Sequence, residues 1–136
     1  MEKIYYVTEH VLTVDDLEDI LTTAIEGGIS YWAILCNDTP EWEKAEEQLK
    51  AKGVELFYGN VATQVLLNGD AIKFEDAEGE EDDSDWTLDM EKFKKGCALY
   101  EKERGNLSMN LWNGSFDAVE ADCLIQYAVF GEVVFG

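Results

Sequence analysis

The sequence predicts an α+β fold in which an antiparallel sheet of about five strands carries three to four packed helices. Three observations lead to this prediction. Capping residues begin several helical patterns, an Asn-Gly pair at Asn68-Gly69 separates two apolar runs, and 46% of the 136 residues are hydrophobic. A chain of this length closes one core, so we expect a single domain over residues 1–136.

The opening of the chain predicts a strand followed by a helix. Ile4–Leu12 contains β-branched and aromatic residues without a helix or strand breaker, which is typical of a strand. Thr13 and Asp16 then fit a capping box. Apolar residues recur at helical spacing until Gly27-Gly28, where glycine in the left-handed conformation is expected to end the helix.

A second strand and helix follow. Ile29–Cys36 is apolar enough for a central strand. Thr39-Pro40 predicts a helix start, because threonine caps well and proline is favoured at the first helical position. The inner face of this helix is predicted to carry Trp42, Ala45 and Leu49.

The middle of the chain predicts an antiparallel meander. Asn68-Gly69 is a strong hairpin signal, and Gly59-Asn60 is a weaker turn signal. The three predicted strands are Val54–Tyr58, Val61–Leu67 and Asp70–Glu75.

An acidic run comes next. Glu75–Asp85 contains eight carboxylates and no basic residue, so we expect a solvated loop or hairpin tip. Thr87 is predicted to cap a third helix, and the alternation in Leu107–Leu111 predicts one more strand. The apolar face of the third helix is predicted to contain Met90, Phe93, Cys97 and Tyr100.

The last segment predicts a buried helix and a terminal strand. Asp117 and Glu120 occupy capping positions, and Gly131 is a helix stop. Both faces of this helix are apolar, which favours deep burial. Val133–Phe135 predicts a short strand held in the sheet.

Two segments carry a family resemblance. They are Glu26-Gly27-Gly28-Ile29-Ser30-Tyr31-Trp32 and Ala121–Gly136, which ends in Phe-Gly-Glu-Val-Val-Phe-Gly. With them the chain resembles an uncharacterised family of small acidic proteins carried by bacteriophages and other mobile elements. The resemblance implies a mobile-element origin and a bacterial host cytoplasm, and it brings no assigned reaction. Residues 37–69 depart most from the family pattern, so no role of that segment is carried over.

Charge restricts the class of partner. The chain has 30 Asp and Glu against 10 Lys and Arg, a formal net charge of −20. Such a surface repels nucleic acid and anionic lipid, so we expect neither direct nucleic-acid binding nor membrane binding. The start of the chain lacks the layout of a signal peptide, and we expect a cytoplasmic protein. The three cysteines are expected to be buried thiols without disulfides.

The sequence contains no pattern that predicts a catalytic, metal or cofactor site. His10 is the single histidine and has no nucleophile motif beside it. Gly27-Gly28 lacks the remainder of a phosphate-binding loop. The acidic run lacks the spacing of a calcium loop, because Gly79 and a closing glutamate do not fall at the required positions, so we expect only weak, nonspecific divalent binding.

The charge itself supplies the functional hypothesis. Asp15, Glu18 and Asp19 on the first helix, with Glu26 at its end, would form an acidic ridge. Duplex DNA presents about one charge per 1.7 Å of its axis, so this ridge and the Glu75–Asp85 loop would together approximate a stretch of phosphate backbone. We expect a non-enzymatic inhibitor or decoy, of the anti-CRISPR or anti-restriction type, that binds the nucleic-acid-binding surface of a bacterial defence protein by DNA mimicry. The predicted contacts are Asp15, Glu18, Asp19, Glu75, Asp76, Glu78, Glu80, Glu81, Asp82, Asp83 and Asp85, with Trp86 as an exposed apolar anchor.

Three alternatives stay open. The first is a solvated acidic surface with no partner. The second is a protein that sequesters a small signalling nucleotide in a pocket of Tyr31, Trp32 and Tyr127, although the chain offers no basic cluster to receive an anion. The third is a structural or assembly protein that forms a homodimer or larger oligomer through its apolar terminal helix and edge strand.

Overall fold

Residues 3–7, 10–78 and 85–136 are described by a computed structural model, and they form a mixed α+β structure. The strands form one two-stranded and one three-stranded antiparallel sheet, not the single five-stranded sheet predicted from the sequence. The strands are β1 (Lys3–Val7), β2 (His10–Thr13), β3 (Ala33–Leu35), β4 (Ile72–Asp76) and β5 (Asp85–Leu88).

Helices make up most of the fold. Within the described ranges there are six α-helices, more than the three to four predicted. None of them combines the length and the apolar character that crossing a bilayer would require. They are α1 (Val14–Thr23), α2 (Pro40–Ala51), α3 (Tyr58–Leu67), α4 (Met90–Arg104), α5 (Leu107–Trp112) and α6 (Ala118–Phe130).

The first sheet is a hairpin. The prediction of one continuous strand over Ile4–Leu12 is wrong, because the chain turns back and pairs β1 with β2. This pairing sets Ile4 opposite Leu12, and both side chains are buried. In the hairpin, the backbone groups of the two halves of this segment satisfy each other's hydrogen bonds.

The capping box predicted for α1 is confirmed. The Asp16 amide donates to the Thr13 hydroxyl oxygen at 3.1 Å, and the Thr13 amide donates to the Asp16 carboxylate at 3.0 Å. The buried face of α1 consists of Leu17, Ile20 and Leu21.

The end of this helical segment at Gly27-Gly28 is confirmed, but its geometry differs from the prediction. A π turn over Ala24–Gly28 follows α1, and neither glycine has a positive φ. Gly28 is required for another reason: a Cβ there would lie 2.7 Å from the carbonyl oxygen of Ala118 at the start of α6. The glycine therefore allows close contact between the π turn and α6.

The three-stranded sheet has the order β3-β4-β5 with antiparallel neighbours. The strand predicted over Ile29–Cys36 is shorter than expected, because Ile29 continues the preceding turn and its carbonyl accepts from the amides of Trp32 and Ala33 at 3.0 and 2.9 Å. The central strand, β4, buries Ile72 and Phe74.

The prediction for α2 is confirmed in detail. The Thr39 hydroxyl oxygen accepts from the Trp42 amide at 3.2 Å, and Pro40 is the first helical residue. The buried residues of the helix are Trp42, Ala45 and Leu49.

The predicted meander is wrong in its first two strands. Val54–Tyr58 forms no strand, and Val61–Leu67 lies within α3. Valine and leucine at i and i+4 spacing bury a helical face against α1 and α2, so packing decides a pattern that suits either structure. Asn68-Gly69 ends α3 with Gly69 at φ +83° instead of forming a hairpin. The third predicted strand, Asp70–Glu75, is confirmed as β4, displaced to Ile72–Asp76.

The structure corrects two further predictions in the second half. Thr87 lies in β5 opposite Lys73, and the residue that caps α4 is Asp89, whose carboxylate accepts from the Lys92 amide at 2.8 Å. Leu107–Leu111 is not a strand but part of α5, because the Asn106 side chain accepts from the Met109 amide and begins a helix. The predicted apolar face of α4 is confirmed, with Phe93, Cys97 and Tyr100 buried and Met90 partly buried.

Helix α6 lies in the core, as predicted. Asp117 caps it, and Gly131 ends it in the left-handed conformation at φ +79°. It packs mainly against α4. The predicted strand at Val133–Phe135 does not form, since the amides of Val134 and Phe135 donate to the Gln126 side chain instead of to a neighbouring strand.

An ion-pair cluster joins α4 to α6 and gives a testable pH dependence. Arg104 and Tyr100 donate to the Glu120 carboxylate, and these bonds hold the pKa of Glu120 below its ordinary value although partial burial acts the other way. A carboxyl with a lowered folded-state pKa stabilises the fold above its unfolded pKa and loses that effect as pH falls through the folded pKa.

We therefore expect Glu120→Gln to reduce the free energy of unfolding at neutral pH by about 1–2 kcal/mol. The difference from wild type should shrink below about pH 4.5. Urea denaturation at a series of pH values measures it. Glu132→Gln, at an exposed carboxylate after α6, is the matched control. A difference for Glu120→Gln that does not change with pH would contradict the assignment.

Candidate functional site

The predicted acidic ridge lies on the outer face of α1. Asp15 and Asp19 are exposed, Glu18 is half-buried, and Glu26 is exposed in the π turn that follows. The opposite face of α1 is buried in the core, so the helix holds these carboxylates on the solvent side. Asp15, Glu18 and Asp19 thus share one face of α1, and Glu26 lies in the turn beyond its end.

Partial burial and mutual repulsion both act on the carboxylates of this ridge. Partial burial raises the pKa of Glu18, and the neighbouring charges of Asp15 and Asp19 raise it further. Partial burial likewise raises the pKa of Asp19, with added effects from Asp16 and Asp15. The field on α1 is therefore one that a cationic partner would relieve.

The two described ends of the acidic run lie on paired antiparallel strands and not in the loop or hairpin tip predicted for the run. Glu75 and Asp76 belong to β4, and Glu75 pairs with Asp85 of β5. The Asp76 carboxylate accepts from the Glu78 amide at 2.8 Å, which ties it to the turn. Four predicted contacts lie outside the described residues: Glu80, Glu81, Asp82 and Asp83. Those predicted contact residues that the structure describes thus lie on two parts of the fold, α1 and the β4-β5 hairpin.

The predicted anchor Trp86 is partly buried and is not an open surface residue. It packs in an aromatic cluster with Trp32, Phe130 and Phe135, at ring-centroid distances of 5.4, 5.3 and 6.0 Å. Its place opposite Phe74 in the sheet turns its side chain toward the core. The prediction of Trp86 as an exposed contact is wrong.

Other aromatic side chains are exposed. Trp112 on α5 is 84% exposed, and Tyr58 and Phe57, at the start of α3, are 48% and 43% exposed. Sequence analysis assigned Phe57 and Tyr58 to a strand and gave them no role in binding. Both residues lie where the connection from α2 enters α3, so their exposure could not be predicted while this segment was assigned to a strand.

Two of the three residues of the predicted small-molecule pocket, Tyr31 and Trp32, belong to a hydrogen-bonded cluster that does not include Tyr127. The Asp122 carboxylate accepts from the Trp32 indole N–H at 2.8 Å and from the Tyr31 hydroxyl at 2.6 Å. Burial, followed by these interactions with Asp122, raises the pKa of Tyr31 to about 12. The polar groups of Tyr31 and Trp32 are thus used within the fold.

Gln126 extends this cluster to the end of the chain. Its amide N–H donates to Asp122 at 2.8 Å, and its carbonyl oxygen accepts from the amides of Val134 and Phe135 at 2.7 and 2.8 Å. The Phe135 ring then stacks on Trp32 with centroids 5.2 Å apart. Two polar residues at i and i+4 in an otherwise apolar helix were a sequence signal for this cluster that our prediction missed.

Two surface hollows border the acidic ridge. The first has a volume of about 370 Å³ and is lined by Glu26, Trp42, Glu46, Phe57 and Tyr58, among others. The second, of about 490 Å³, includes Glu18, Lys52 and Phe57 in its lining. Phe57 is common to both, so the two hollows adjoin each other at this exposed ring.

The described part of the chain contains no group of three or more His, Cys, Asp or Glu residues placed to hold a metal ion. The side chain of His10 lies outside the described atoms. Cys97 and Cys123 are buried as predicted, Cys36 is partly buried, and none of the three forms a disulfide. Burial raises the pKa of the Cys97 thiol well above its ordinary value, which disfavours the reactive thiolate.

Comparison with protein-family models, with curated protein sequences and with solved structures finds no match to this chain.

Proposed function

We propose that this protein is a non-enzymatic acidic inhibitor that occupies the nucleic-acid-binding surface of another protein by DNA mimicry. One observation carries the proposal: the carboxylates of α1 are held side by side on one helix, where partial burial and, after it, their mutual repulsion raise the pKa values of Glu18 and Asp19. A basic surface would relieve this repulsion, and relief of an unfavourable field adds to binding free energy.

The charge balance supports a basic protein as the partner. At −20 the chain repels nucleic acid, but it attracts a groove lined with Lys and Arg. Among the described residues, Lys44 pairs with Asp70 and Arg104 with Glu120, so these cations are used away from the α1 ridge. On the ridge, Asp15 and Asp19 are exposed and Glu18 is half-buried.

The aromatic residues proposed for the contact surface differ from the one predicted from the sequence. Phe57 and Tyr58 are exposed beside hollows that Glu18 and Glu26 also line. Aromatic side chains dominate many interface energies, and they are most effective when flanked by polar residues. Phe57 and Tyr58 therefore replace Trp86 as the apolar part of the contact surface.

The bacterial target is part of the proposal and follows from the family resemblance expected from the sequence. Defence proteins such as CRISPR effectors and restriction enzymes hold nucleic acid in basic channels or grooves. Such a groove is a receptor to which an acidic, folded surface is complementary in charge. The bacterial cytoplasm is then the place of action.

Removing charge from the ridge should stabilise the fold and weaken binding to the partner. We expect Glu18→Gln to raise the free energy of unfolding by about 0.5 kcal/mol at neutral pH, because it removes repulsion from Asp15 and Asp19. Since the folded-state pKa of Glu18 is raised, the gain should vanish as pH falls through that pKa. Thermal denaturation near pH 7 and near pH 4 measures both effects. A variant less stable than wild type at neutral pH would contradict the electrostatic account.

A competitive capture experiment tests the proposed function. The wild-type protein is immobilised and exposed to a nuclease-treated bacterial lysate, and bound proteins are then eluted with a duplex oligonucleotide. We expect a nucleic-acid-binding protein to be released by the duplex and to bind less at high salt, because charged contacts are screened. A partner that the duplex does not displace would overturn nucleic-acid mimicry.

A matched pair of variants assigns the effect to α1. The ridge variant combines Asp15→Asn, Glu18→Gln and Asp19→Asn. The control makes the same change in net charge at exposed carboxylates elsewhere, with Glu47→Gln, Glu103→Gln and Glu132→Gln. We expect capture to fall tenfold or more for the ridge variant, on the order of 1.4 kcal/mol, and to change little for the control. Equal losses would show that net charge alone, without the ridge, explains binding.

A further inference from the structure

The first hollow combines two carboxylates with exposed aromatic rings. Glu26 approaches it from the π turn after α1, and Glu46 from α2. Trp42 is part of its lining and is almost fully buried, and its ring centroid lies 6.3 Å from that of Tyr58 with the planes tilted by 45°. These residues come from three separate elements, so the combination is a product of tertiary structure. We call this hollow the aromatic-acidic cleft.

The chemistry of this cleft selects a cation. A carboxylate stabilises a positive charge directly, and the face of an aromatic ring attracts a cation through its quadrupole. Glu26 and Glu46 would repel an anionic ligand, and a neutral hydrogen-bond donor would gain less from them than a cation does. A volume of about 370 Å³ lies at the lower end of the range for ligand pockets, which suits a side chain or short peptide segment better than a large cofactor.

Among biological cations, the guanidinium group of arginine fits these features best. It is planar, it stacks on aromatic faces, and its N–H groups donate in pairs to a carboxylate. A lysine ammonium is a compact, strongly hydrated charge that gains less from a flat ring. The exposed ring of Tyr58 offers a stacking surface, while Glu26 and Glu46 offer acceptors.

We propose that the aromatic-acidic cleft binds an arginine side chain from the basic partner, with the guanidinium against Tyr58 and its N–H groups donated to Glu26 or Glu46. This assignment rests on the proposed function, since it identifies one contact of the same acidic surface. Glu26 lies in the turn that follows α1 and also lines the cleft. A basic segment bound to the ridge can therefore extend an arginine into the cleft.

Calorimetric titration of the purified full chain tests the assignment. The probes are two peptides of equal length and charge. In one, arginine alternates with serine; in the other, lysine alternates with serine. We expect the arginine peptide to bind several-fold more tightly and to shift the indole N–H resonance of Trp42 in nuclear magnetic resonance spectra. Equal affinity for the two peptides, without a shift of this resonance, would overturn the assignment of an arginine site.

Three variants complete the test. Glu26→Gln with Glu46→Gln should weaken the arginine peptide about tenfold, whereas Glu47→Gln with Glu132→Gln makes the same charge change outside the cleft and should alter affinity less than about twofold. Tyr58→Leu keeps an apolar side chain but removes the ring, and should reduce the preference for arginine about two- to fivefold. Circular dichroism verifies that each variant is folded.

The outcomes separate this inference from the proposed function. Equal weakening by the cleft pair and the control pair would refute the cleft and leave the acidic surface as a whole intact as a receptor for basic proteins. Selective weakening by the cleft pair, together with a captured partner that duplex DNA cannot displace, would retain the arginine site and refute nucleic-acid mimicry.

Discussion

Replacing Asp122 with alanine should lower the free energy of unfolding by about 2–4 kcal/mol, because the buried indole N–H of Trp32 and the amide of Gln126 lose their shared acceptor. An unsatisfied buried donor costs more than the net contribution of the hydrogen bond it replaces. The melting temperature should fall by roughly 8–15 °C. Differential scanning calorimetry or thermal denaturation followed by circular dichroism measures this loss.

Two further variants should destabilise the protein less than Asp122→Ala does. Asp122→Asn keeps one oxygen acceptor and should lose less than the alanine variant. Tyr31→Phe removes one hydrogen bond from a ring that is 49% exposed, so its loss should stay below about 1 kcal/mol. A result in which Tyr31→Phe is as damaging as Asp122→Ala would refute the central role assigned to the indole and the Gln126 amide.

Gly96→Ala should destabilise the protein by about 1–3 kcal/mol, although alanine favours a helix over glycine by about 1 kcal/mol. A Cβ at this position would lie 2.6 Å from the Cβ of Ala128 and 2.8 Å from its Cα and amide nitrogen. The crowding involves the backbone of α6, so the two helices must separate. Chemical denaturation of wild type and variant gives the loss directly.

Gly27→Ala is the control for this substitution. Gly27 also lies in a helical turn, but a Cβ there meets nothing within 4 Å and its φ is not positive. We expect this variant to be neutral or up to about 1 kcal/mol more stable. Ala128→Gly in the Gly96→Ala background should restore part of the lost stability through a coupling of about 0.5 kcal/mol or more. Strict additivity of the two changes would refute direct contact between these positions.

Local signals predicted the helices whose capping side chains are unambiguous. Thr13, Thr39 and Asp117 each accept from a backbone amide three residues ahead, and the helices begin where these residues predict. Capping depends on neighbours within one turn, so the sequence alone contains the required interaction. The acidic ridge follows from the same logic, because its spacing is set by the helix that Thr13 begins.

The α3 segment shows why other predictions failed. Asn60 accepts from the Phe57 amide at 2.9 Å and donates to the Glu55 carbonyl oxygen at 2.8 Å, and this capping arrangement was not recognised. Gly59 then approaches α1 so closely that a Cβ would lie 1.7 Å from the Thr22 hydroxyl oxygen. An apolar run compatible with a strand becomes a helix because α1 and α2 cover its face.

The sequence by itself determined the charge, the principal helix starts and the ridge on α1, because each depends on residue identity or on contacts within a few residues. Only the tertiary structure decided that Trp86 is partly buried against the core, that Asp122 joins Trp32 to the end of the chain, and that Glu26 and Glu46 share a cleft with Tyr58. These arrangements join residues tens of positions apart. Their free energy comes from packing and buried hydrogen bonds between elements, which no local pattern encodes.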